Sequence, residues 1–318
     1  MPKHAIFSDV HANLEALAAV ARDFSKVEGL RHIWSLGDLV GYGPNPNEVI
    51  TGLEAVAKRG YQVHYCMGNH DGAATGRYEF VNLHEPGEYE RLKAEAGLKD
   101  FEAIALQYRD PKRRKYIPVR ANAKLSTIWT RQHLTEASKE FLATRCKDYL
   151  PLGDGVLCVH GSPRDPLFDY VTNARRVQRA AEAPLMGDNW LCFLGHTHIP
   201  GLWQFGPDDI VTYAGHTVVM HPPKEVEGTS VRLGNGVPGT VINVGAVGQP
   251  RDGDPRAAYV IYDEEARTIE LRRVGYDVAR TRQKIVESGL PEDLARRLGQ
   301  GQAEEELAEG AEPAEEAQ

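Results

Sequence analysis

The chain has 318 residues, 42% hydrophobic and 26% charged, which suits a globular protein with a packed core. Its formal net charge is −8, but residues 303–318 hold seven glutamates and no lysine or arginine, which leaves −1 on the rest. A nearly neutral body offers no broad basic surface, so we expect no stable nucleic-acid partner.

The apolar segments and the cysteines indicate the cellular compartment of the protein. The start of the chain lacks the basic and then apolar pattern of a signal peptide, and no apolar stretch reaches transmembrane length. We therefore expect a cytoplasmic protein without a membrane partner, and composition gives no indication of the oligomeric state. Scattered cysteines without a Cys-x-x-Cys pair predict neither a disulfide framework nor a zinc knuckle: Cys66, Cys146, Cys158 and Cys192.

The first part of the chain alternates strand and helix patterns. Asn13 precedes an amphipathic segment and is placed to cap its first turn. The repetition of strand, loop, helix and strand predicts an α/β fold with parallel crossovers. The strand patterns cover residues 4–7, 32–36 and 61–67, and the helix patterns cover 14–21 and 47–58.

Residues 72–150 interrupt this alternation. Strand signals fade there, and helical patterns dominate at about 88–106, 123–133 and 136–146. We expect a helical insertion, or cap, over the α/β core.

Strand patterns return after the insertion. Short β-rich segments between residues 201 and 274 suggest a second sheet, and helices at about 278–288 and 292–298 close the fold. We place one domain in residues 1–300 and expect the Glu-rich and Ala-rich residues 301–318 to be disordered. Before these segments, strands at 155–159 and 190–194 flank a helix at about 171–182.

Five strand patterns end in turns that contain Asp, Asn or His. Ligands of α/β sheets collect beyond the carboxyl ends of the strands, so we expect these turns to form one cleft. The turns are Asp9-Val10-His11, Gly37-Asp38, Gly68-Asn69-His70-Asp71, His160-Gly161 and Gly195-His196-Thr197-His198.

Seven side chains of these turns can bind a metal ion. Seven ligands are too many for one ion and suit two ions that share a bridging carboxylate. Oxygen and nitrogen ligands without thiolate favour manganese, iron, nickel, zinc or cobalt. Two such ions lower the pKa of a bridging water and clamp phosphate oxygens during in-line displacement, which predicts phosphoryl chemistry with a metal-bridging hydroxide. The seven are Asp9, His11, Asp38, Asn69, His160, His196 and His198.

The ordered motifs resemble those of the calcineurin-like metallophosphoesterase superfamily, which run Asp-x-His, Gly-Asp, Gly-Asn-His-Asp/Glu, His-Gly and Gly-His-x-His. The resemblance covers residues 4–275 apart from the insertion. It implies a four-layer αββα sandwich of two mixed sheets, with the site at one edge. It also implies that one metal is held by Asp9, His11 and His198, the other by Asn69, His160 and His196, and that Asp38 bridges them.

The resemblance gives the two remaining residues of the third motif a catalytic role. His70 would be the general acid that gives a proton to the leaving oxygen, and Asp71 would orient it. An Asp partner would also keep the imidazole protonated near neutral pH.

Two departures from the superfamily's branches narrow the resemblance. Tyr42 stands where protein phosphatases and symmetrical diadenosine tetraphosphate hydrolases place a phosphate-contacting Arg, and Asp71 replaces the Glu of the phosphatase branch. The chain looks closer to compact bacterial and archaeal phosphodiesterase-like members. Arg164 and Arg251 are candidate phosphate ligands in place of that Arg. Alternatively, Arg251 pins its own loop, Arg164 lies at the surface, and Tyr42 either stacks on substrate or only packs.

Three functions follow as hypotheses. The first is a two-metal phosphoesterase acting on diesters or nucleotide phosphoanhydrides, with a small phosphorylated or nucleotide substrate. The second is a phosphomonoesterase, including a protein phosphatase, and the third is a metal-holding scaffold with little turnover. A lid formed by residues 72–150 would favour a small substrate, whereas an open groove would favour a protein. No ligand is lost and His70 is present, which favours an enzyme.

Overall fold

The computed structural model describes residues 2–77, 106–109, 116–119, 121–204, 229–233 and 239–301. The strands in these ranges are β1 Lys3–Phe7, β2 Leu30–Ser35, β3 Gln62–Tyr65, β4 Leu106–Arg109, β5 Tyr116–Val119, β6 Tyr149–Gly153, β7 Val156–Val159, β8 Leu191–Leu194, β9 Gly201–Gln204, β10 Thr229–Arg232, β11 Thr240–Asn243, β12 Ala257–Asp263 and β13 Thr268–Val274. The helices are α1 Leu14–Phe24, α2 Pro46–Ala57, α3 Asn69–Ala74, α4 Ala121–His133, α5 Glu136–Arg145, α6 Ala174–Ala181, α7 Val278–Glu287 and α8 Glu292–Leu298.

The strands build two mixed sheets. The first has the order β10-β13-β12-β1-β2-β3, in which β1, β2 and β3 are parallel and the other neighbours are antiparallel. The second has the order β6-β7-β8-β11-β9, with β7, β8 and β11 parallel between antiparallel edges. The α/β class predicted with parallel crossovers is therefore confirmed.

The two sheets pack face to face between helical layers. Successive side chains of a strand point to opposite faces, so Ile6 lies between the sheets while Phe7 packs against α1 and α2. In the second sheet Phe193 points inward, and Cys192 packs on the outer face together with Val177 of α6. Strands buried on both faces explain the continuous apolar runs of the sequence. The four-layer αββα sandwich of two mixed sheets is confirmed.

The first helix shows how sequence sets local structure. The side chain of Asn13 accepts a hydrogen bond from the Ala16 N–H at 3.1 Å, so the predicted cap is present. Leu17, Val20 and Phe24 recur at helical spacing and are buried against the first sheet.

The insertion contains a short pair of strands in addition to the helices that were predicted to dominate it. Helices α4 and α5 match two of the predicted helices, but β4 and β5 pair antiparallel, and Leu106, the predicted end of a helix, begins β4. Strands of four residues are too short to give a clear alternating pattern. The rest of the helix predicted at 88–106 lies outside the described residues.

The C-terminal strands are shared between the two sheets. Strands β9 and β11 complete the second sheet, whereas β10, β12 and β13 extend the first, where Ala5 of β1 pairs with Ile261 of β12. The predicted second sheet thus exists, but it is built around β6, β7 and β8. The acidic residues 302–318 lie outside the described residues, and the single-domain boundary at 300 stays a prediction.

The structure bears on the predicted absence of membrane-spanning helices and on the state of the cysteines. No helix in the described ranges is long and apolar enough to cross a membrane. The four cysteines are all buried free thiols.

A histidine cluster lies across the three parallel strands of the first sheet. His4 of β1, His32 of β2 and His64 of β3 stack their rings, with centroids 5.1 Å apart for the first pair and 5.7 Å for the second. His4 is only 3% exposed, and its Nδ1 accepts a hydrogen bond from Trp34 Nε1 at 3.1 Å. Burial, assisted by His32 and His64, lowers the pKa of His4 to about 4.

This shift predicts a loss of stability in mild acid. In the unfolded chain His4 has its ordinary pKa of 6.5, so the unfolded state binds a proton first as the pH falls. The stabilisation is fully present above pH 6.5 and is lost as the pH falls towards 4, by up to about 3 kcal/mol. We expect the free energy of unfolding, measured with urea, to fall less between about pH 7 and pH 4.5 in His4→Gln than in the wild type. An equal loss in both proteins would contradict this role of His4.

Candidate metal centre

The five predicted turns meet at one edge of the sandwich. Parallel strands β1, β2 and β3 end on the same side of the first sheet, and β7 and β8 do so in the second. Backbone hydrogen bonds join neighbouring turns: the Asp9 N–H donates to the Gly37 carbonyl at 3.0 Å, and the Gly195 N–H donates to the His160 carbonyl at 2.9 Å. The sheets therefore bring together residues that lie up to 190 positions apart, from Asp9 to His198.

Backbone strain is concentrated in these turns. Five of the seven predicted ligands have a left-handed backbone, with φ of 55° at Asp9, 47° at His11, 53° at Asp38, 66° at His196 and 63° at His198. Such conformations are costly for residues other than glycine and persist where the surrounding structure enforces them, typically at functional sites. In the described ranges the only other such non-glycine residues are Ala12, Tyr42, Asp154 and Arg267.

The first ligand group contains Asp9, His11 and His198. The two Nε2 atoms lie 3.1 Å apart, and Asp9 Oδ1 is 3.2 Å from His198 Nε2 and 3.7 Å from His11 Nε2. Each imidazole uses Nδ1 to donate to a backbone carbonyl, His11 to Val40 at 3.2 Å and His198 to Gln249 at 2.6 Å. The ring protons are thus on Nδ1, and three lone-pair atoms face one another.

The second group is built in the same way around His160. Its Nε2 lies 3.1 Å from His196 Nδ1, 3.1 Å from Asn69 Oδ1 and 3.4 Å from Asp38 Oδ2. Its Nδ1 donates to the Leu36 carbonyl at 3.1 Å, so Nε2 is the nitrogen that would face a metal ion. The structure therefore brings Asn69 and both imidazoles together as the resemblance implied.

Asp38 lies between the two groups. Its Oδ2 is 3.7 Å from His11 Nε2 in the first group and 3.4 Å from His160 Nε2 in the second. Its Oδ1 accepts the His70 backbone N–H at 2.8 Å, which fixes the carboxylate. One oxygen therefore faces both groups, as a bridging ligand must.

The buried negative charge of the site needs compensation by cations. Asp9 and Asp38 are buried, neither forms an ion pair with Lys or Arg within the described ranges, and Asp9 Oδ1 has no hydrogen-bond partner there. Although burial opposes protonation, Asp38 raises the pKa of His160 to about 9. A metal ion would take the place of that proton. Buried carboxylates are stable only when compensated, so this donor set fits two divalent ions.

His70 and Asp71 do not form the predicted pair. Asp71 accepts hydrogen bonds from the backbone N–H groups of Val40 and Gly68, both at 3.1 Å, and no described hydrogen bond joins it to the His70 ring. Burial lowers the pKa of His70 to about 4. No direct hydrogen bond from Asp71 to the imidazole is therefore seen in the described residues, and the catalytic roles of His70 and Asp71 stay predictions. Both residues lie in the first turn of α3, where consecutive side chains do not face each other.

Arg251 reaches the centre, whereas Arg164 does not. The Arg251 guanidinium donates to Tyr170 Oη at 3.3 Å and to Gln249 Oε1 at 2.9 Å, and no described carboxylate lies within ion-pairing distance. Arg164 is exposed, and its described contact is a backbone N–H donated to Ser162 Oγ. Its role as a phosphate ligand stays a prediction.

Tyr170 is a site residue that the sequence analysis missed. Its ring lies 5.1 Å from that of His196, and its hydroxyl donates to the Thr197 carbonyl at 3.3 Å while accepting from Arg251. No motif marks this loop tyrosine, because it reaches the centre only through the folding of the chain between β7 and α6. The third substrate-binding candidate, Tyr42, packs against His70 and His11.

Comparisons with known proteins agree with this geometry. A family model described as calcineurin-like phosphoesterase matches residues 2–220. An uncharacterized protein of Methanocaldococcus jannaschii is 31% identical in an alignment of 307 residues, which covers 92% of this chain and 96% of that protein. The crystal structure of a metallophosphoesterase from Sphaerobacter thermophilus is 32% identical with a TM-score of 0.67, and the match covers 94% of this chain and 99% of that one.

A further solved structure supports the fold alone. A hypothetical protein from Pyrococcus horikoshii has 18% identity and a TM-score of 0.64, over 95% of this chain and 100% of that one. The family depends on a dinuclear metal centre, which agrees with two ligand groups between which Asp38 lies. The family match over more than half of the chain confirms the resemblance, and the protein belongs to the calcineurin-like phosphoesterase family.

Proposed function

We propose that this protein hydrolyses phosphodiesters or the phosphoanhydride bonds of small nucleotides with two divalent metal ions. The observation that carries the proposal is Asp38 Oδ2, which lies between two groups of acceptor atoms. When bound, the ions lower the pKa of water and neutralise charge on phosphate oxygens. Four imidazoles, two carboxylates and one amide oxygen favour manganese, iron, nickel, zinc or cobalt.

His70 is the proposed general acid. Its ring lies 5.1 Å from that of His11 but belongs to neither ligand group, so it is free to act on substrate. A phosphate bound beside the ring adds negative charge, which raises the pKa of the imidazole from its value of about 4. In that state His70 can hold a proton and donate it to the leaving oxygen.

The cationic side chains of the site favour a diester. Arg251 is the guanidinium that contacts the loop of the first ligand group, and Tyr42 occupies the place of a second one. A diester phosphate carries one negative charge, whereas a monoester carries nearly two at neutral pH. A single guanidinium therefore favours a diester over a monoester, and it gives no preference for a phosphoanhydride, whose several charges the two metal ions would neutralise. Most of residues 72–120, which would distinguish a lid from an open groove, lies outside the described residues.

The first test is metal-dependent turnover. We expect the protein with Mn²⁺, Ni²⁺, Co²⁺ or Zn²⁺ to hydrolyse bis-p-nitrophenyl phosphate or a dinucleoside polyphosphate faster than p-nitrophenyl phosphate or a phosphopeptide. His70→Ala should lower kcat by about 100-fold or more, because general acid catalysis contributes 10²–10⁴-fold. The measurement is the initial rate for each metal and substrate.

The outcomes separate the hypotheses of the sequence analysis. A preference for the monoester or the phosphopeptide would contradict the proposed substrate class and favour a phosphomonoesterase. Two bound metal equivalents without turnover of any substrate would contradict the enzymatic proposal and favour a scaffold.

Arg251 should bind the substrate phosphate. We expect Arg251→Ala to raise KM for a diester about tenfold, because a charge-assisted hydrogen bond contributes roughly 1.5–3 kcal/mol. Arg164→Ala is the matched control, since it removes an exposed guanidinium without a described side-chain contact to the centre, and should change KM less than twofold. Steady-state kinetics and melting temperatures of both variants check this. A larger effect of Arg164→Ala would reverse the assignment.

A further inference from the structure

Within the described ranges, no hydrogen-bonded partner orients the imidazole of His70. Its Nδ1 is buried and has no hydrogen-bond partner in the described part of the chain, and the Asp71 carboxylate is bound to backbone instead. A general acid must nevertheless be held in a defined position, because small displacements in an active site lower the rate strongly. Among the described residues, it is packing that holds the ring.

We propose that Tyr42 is the positioning residue of His70 and holds the imidazole by ring contact. The inference rests on the proposed catalytic role of His70. The Tyr42 and His70 ring centroids are 4.4 Å apart and their planes meet at 50°. Tyr42 also lies 4.7 Å from His11, whose ring is 5.1 Å from that of His70, so the three rings contact one another.

The backbone of Gly41 lies against another side of the His70 ring. The space between Gly41, Tyr42 and His11 that holds this ring is called the slot below. A Cβ atom at Gly41 would lie 2.6 Å from His70 Nδ1 and 3.0 Å from its Cβ, so only a glycine leaves room for the ring. The loop thus uses two neighbouring residues for one purpose, since Gly41 admits the imidazole and Tyr42 packs against it.

Tyr42 is itself fixed from outside the loop. It is 9% exposed and lies in an apolar cluster with Trp129 of α4, Ile285 of α7, and Leu294 and Leu298 of α8. With its ring covered by histidines and by these helices, Tyr42 has little surface with which to stack on a base. Its place in the cluster makes the C-terminal helices part of the support for His70.

The test is a pair of substitutions at Tyr42, each combined with His70→Ala. We expect Tyr42→Phe to stay within about twofold of wild-type kcat, because the ring remains. Tyr42→Leu should lower kcat at least tenfold with KM within twofold, and should cause no further loss in the His70→Ala background. Metal content and melting temperature are measured for every variant.

Several results would overturn the proposal. A rise in KM with unchanged kcat for Tyr42→Leu would indicate that Tyr42 contacts the substrate. An equal loss of kcat in the presence and absence of His70 would show that Tyr42 does not act through His70. A loss of bound metal that accounts for the lower rate would place the effect at the metal centre. A Tyr42→Phe variant as impaired as Tyr42→Leu would also exclude packing as the mechanism.

A glycine pair tests the slot without changing Tyr42. Gly41 and Gly60 have similar left-handed backbones, with φ of +90° and +95°, but a Cβ at Gly60 meets nothing within 4 Å. Both Gly41→Ala and Gly60→Ala carry the strain of a left-handed alanine, and their melting temperatures should fall. Only Gly41→Ala should lower kcat tenfold or more. Equal kcat values in the two variants would contradict the slot.

An NMR measurement separates this inference from the proposed function. In protein labelled with ¹³C at histidine Cε1, the His70 resonance is identified by its absence in His70→Ala. Tyr42→Leu should shift that resonance, because it removes the ring current of the tyrosine. A shift in a protein without phosphoesterase turnover would support the packing and contradict the enzymatic role. Turnover with an unshifted resonance would contradict the packing.

Discussion

The structure depends on negative charge and lone pairs held together inside the protein. Asp9, Asp38 and three imidazole Nε2 atoms face one another at 3.1–3.7 Å, although such acceptors repel one another without a cation. The strand ends hold them in place, and backbone carbonyls behind the imidazoles fix the ring protons on the far side. The left-handed turns are the conformational cost of this arrangement. The fold is therefore preorganised for two metal ions.

Different forces hold the predicted ligands and the proposed general acid. The imidazoles of His11 and His198 are fixed by hydrogen bonds to backbone, whereas His70 packs against the rings of Tyr42 and His11. Hydrogen bonds suit a ligand, because they leave one nitrogen free in a set direction. Packing suits a residue that must exchange a proton, because it holds the ring without occupying Nδ1. The C-terminal helices extend this packing to the end of the described chain.

The sequence predicted what is encoded locally. Each predicted metal ligand follows a buried strand. The strand periodicity and the turn residues were therefore sufficient to predict that the seven residues meet at one sheet edge. Contacts that no motif or strand pattern marks could not be predicted. Tyr170 has no motif, and β12 pairs with β1 across 250 residues. Adjacency in sequence also does not imply contact, since a helical turn directs the Asp71 carboxylate to Val40 and Gly68 and not to the neighbouring His70 ring.

The number of bound metal ions shows directly whether Asp38 joins two metal sites. We expect two equivalents of a divalent transition metal in the wild type after loading and desalting, measured by mass spectrometry of the metals. We expect at most one in Asp38→Ala, because the bridging ligand is gone, and two in the control Asp188→Ala, which removes an exposed carboxylate. One equivalent or none in a folded wild type, or two in Asp38→Ala, would contradict a centre built around Asp38.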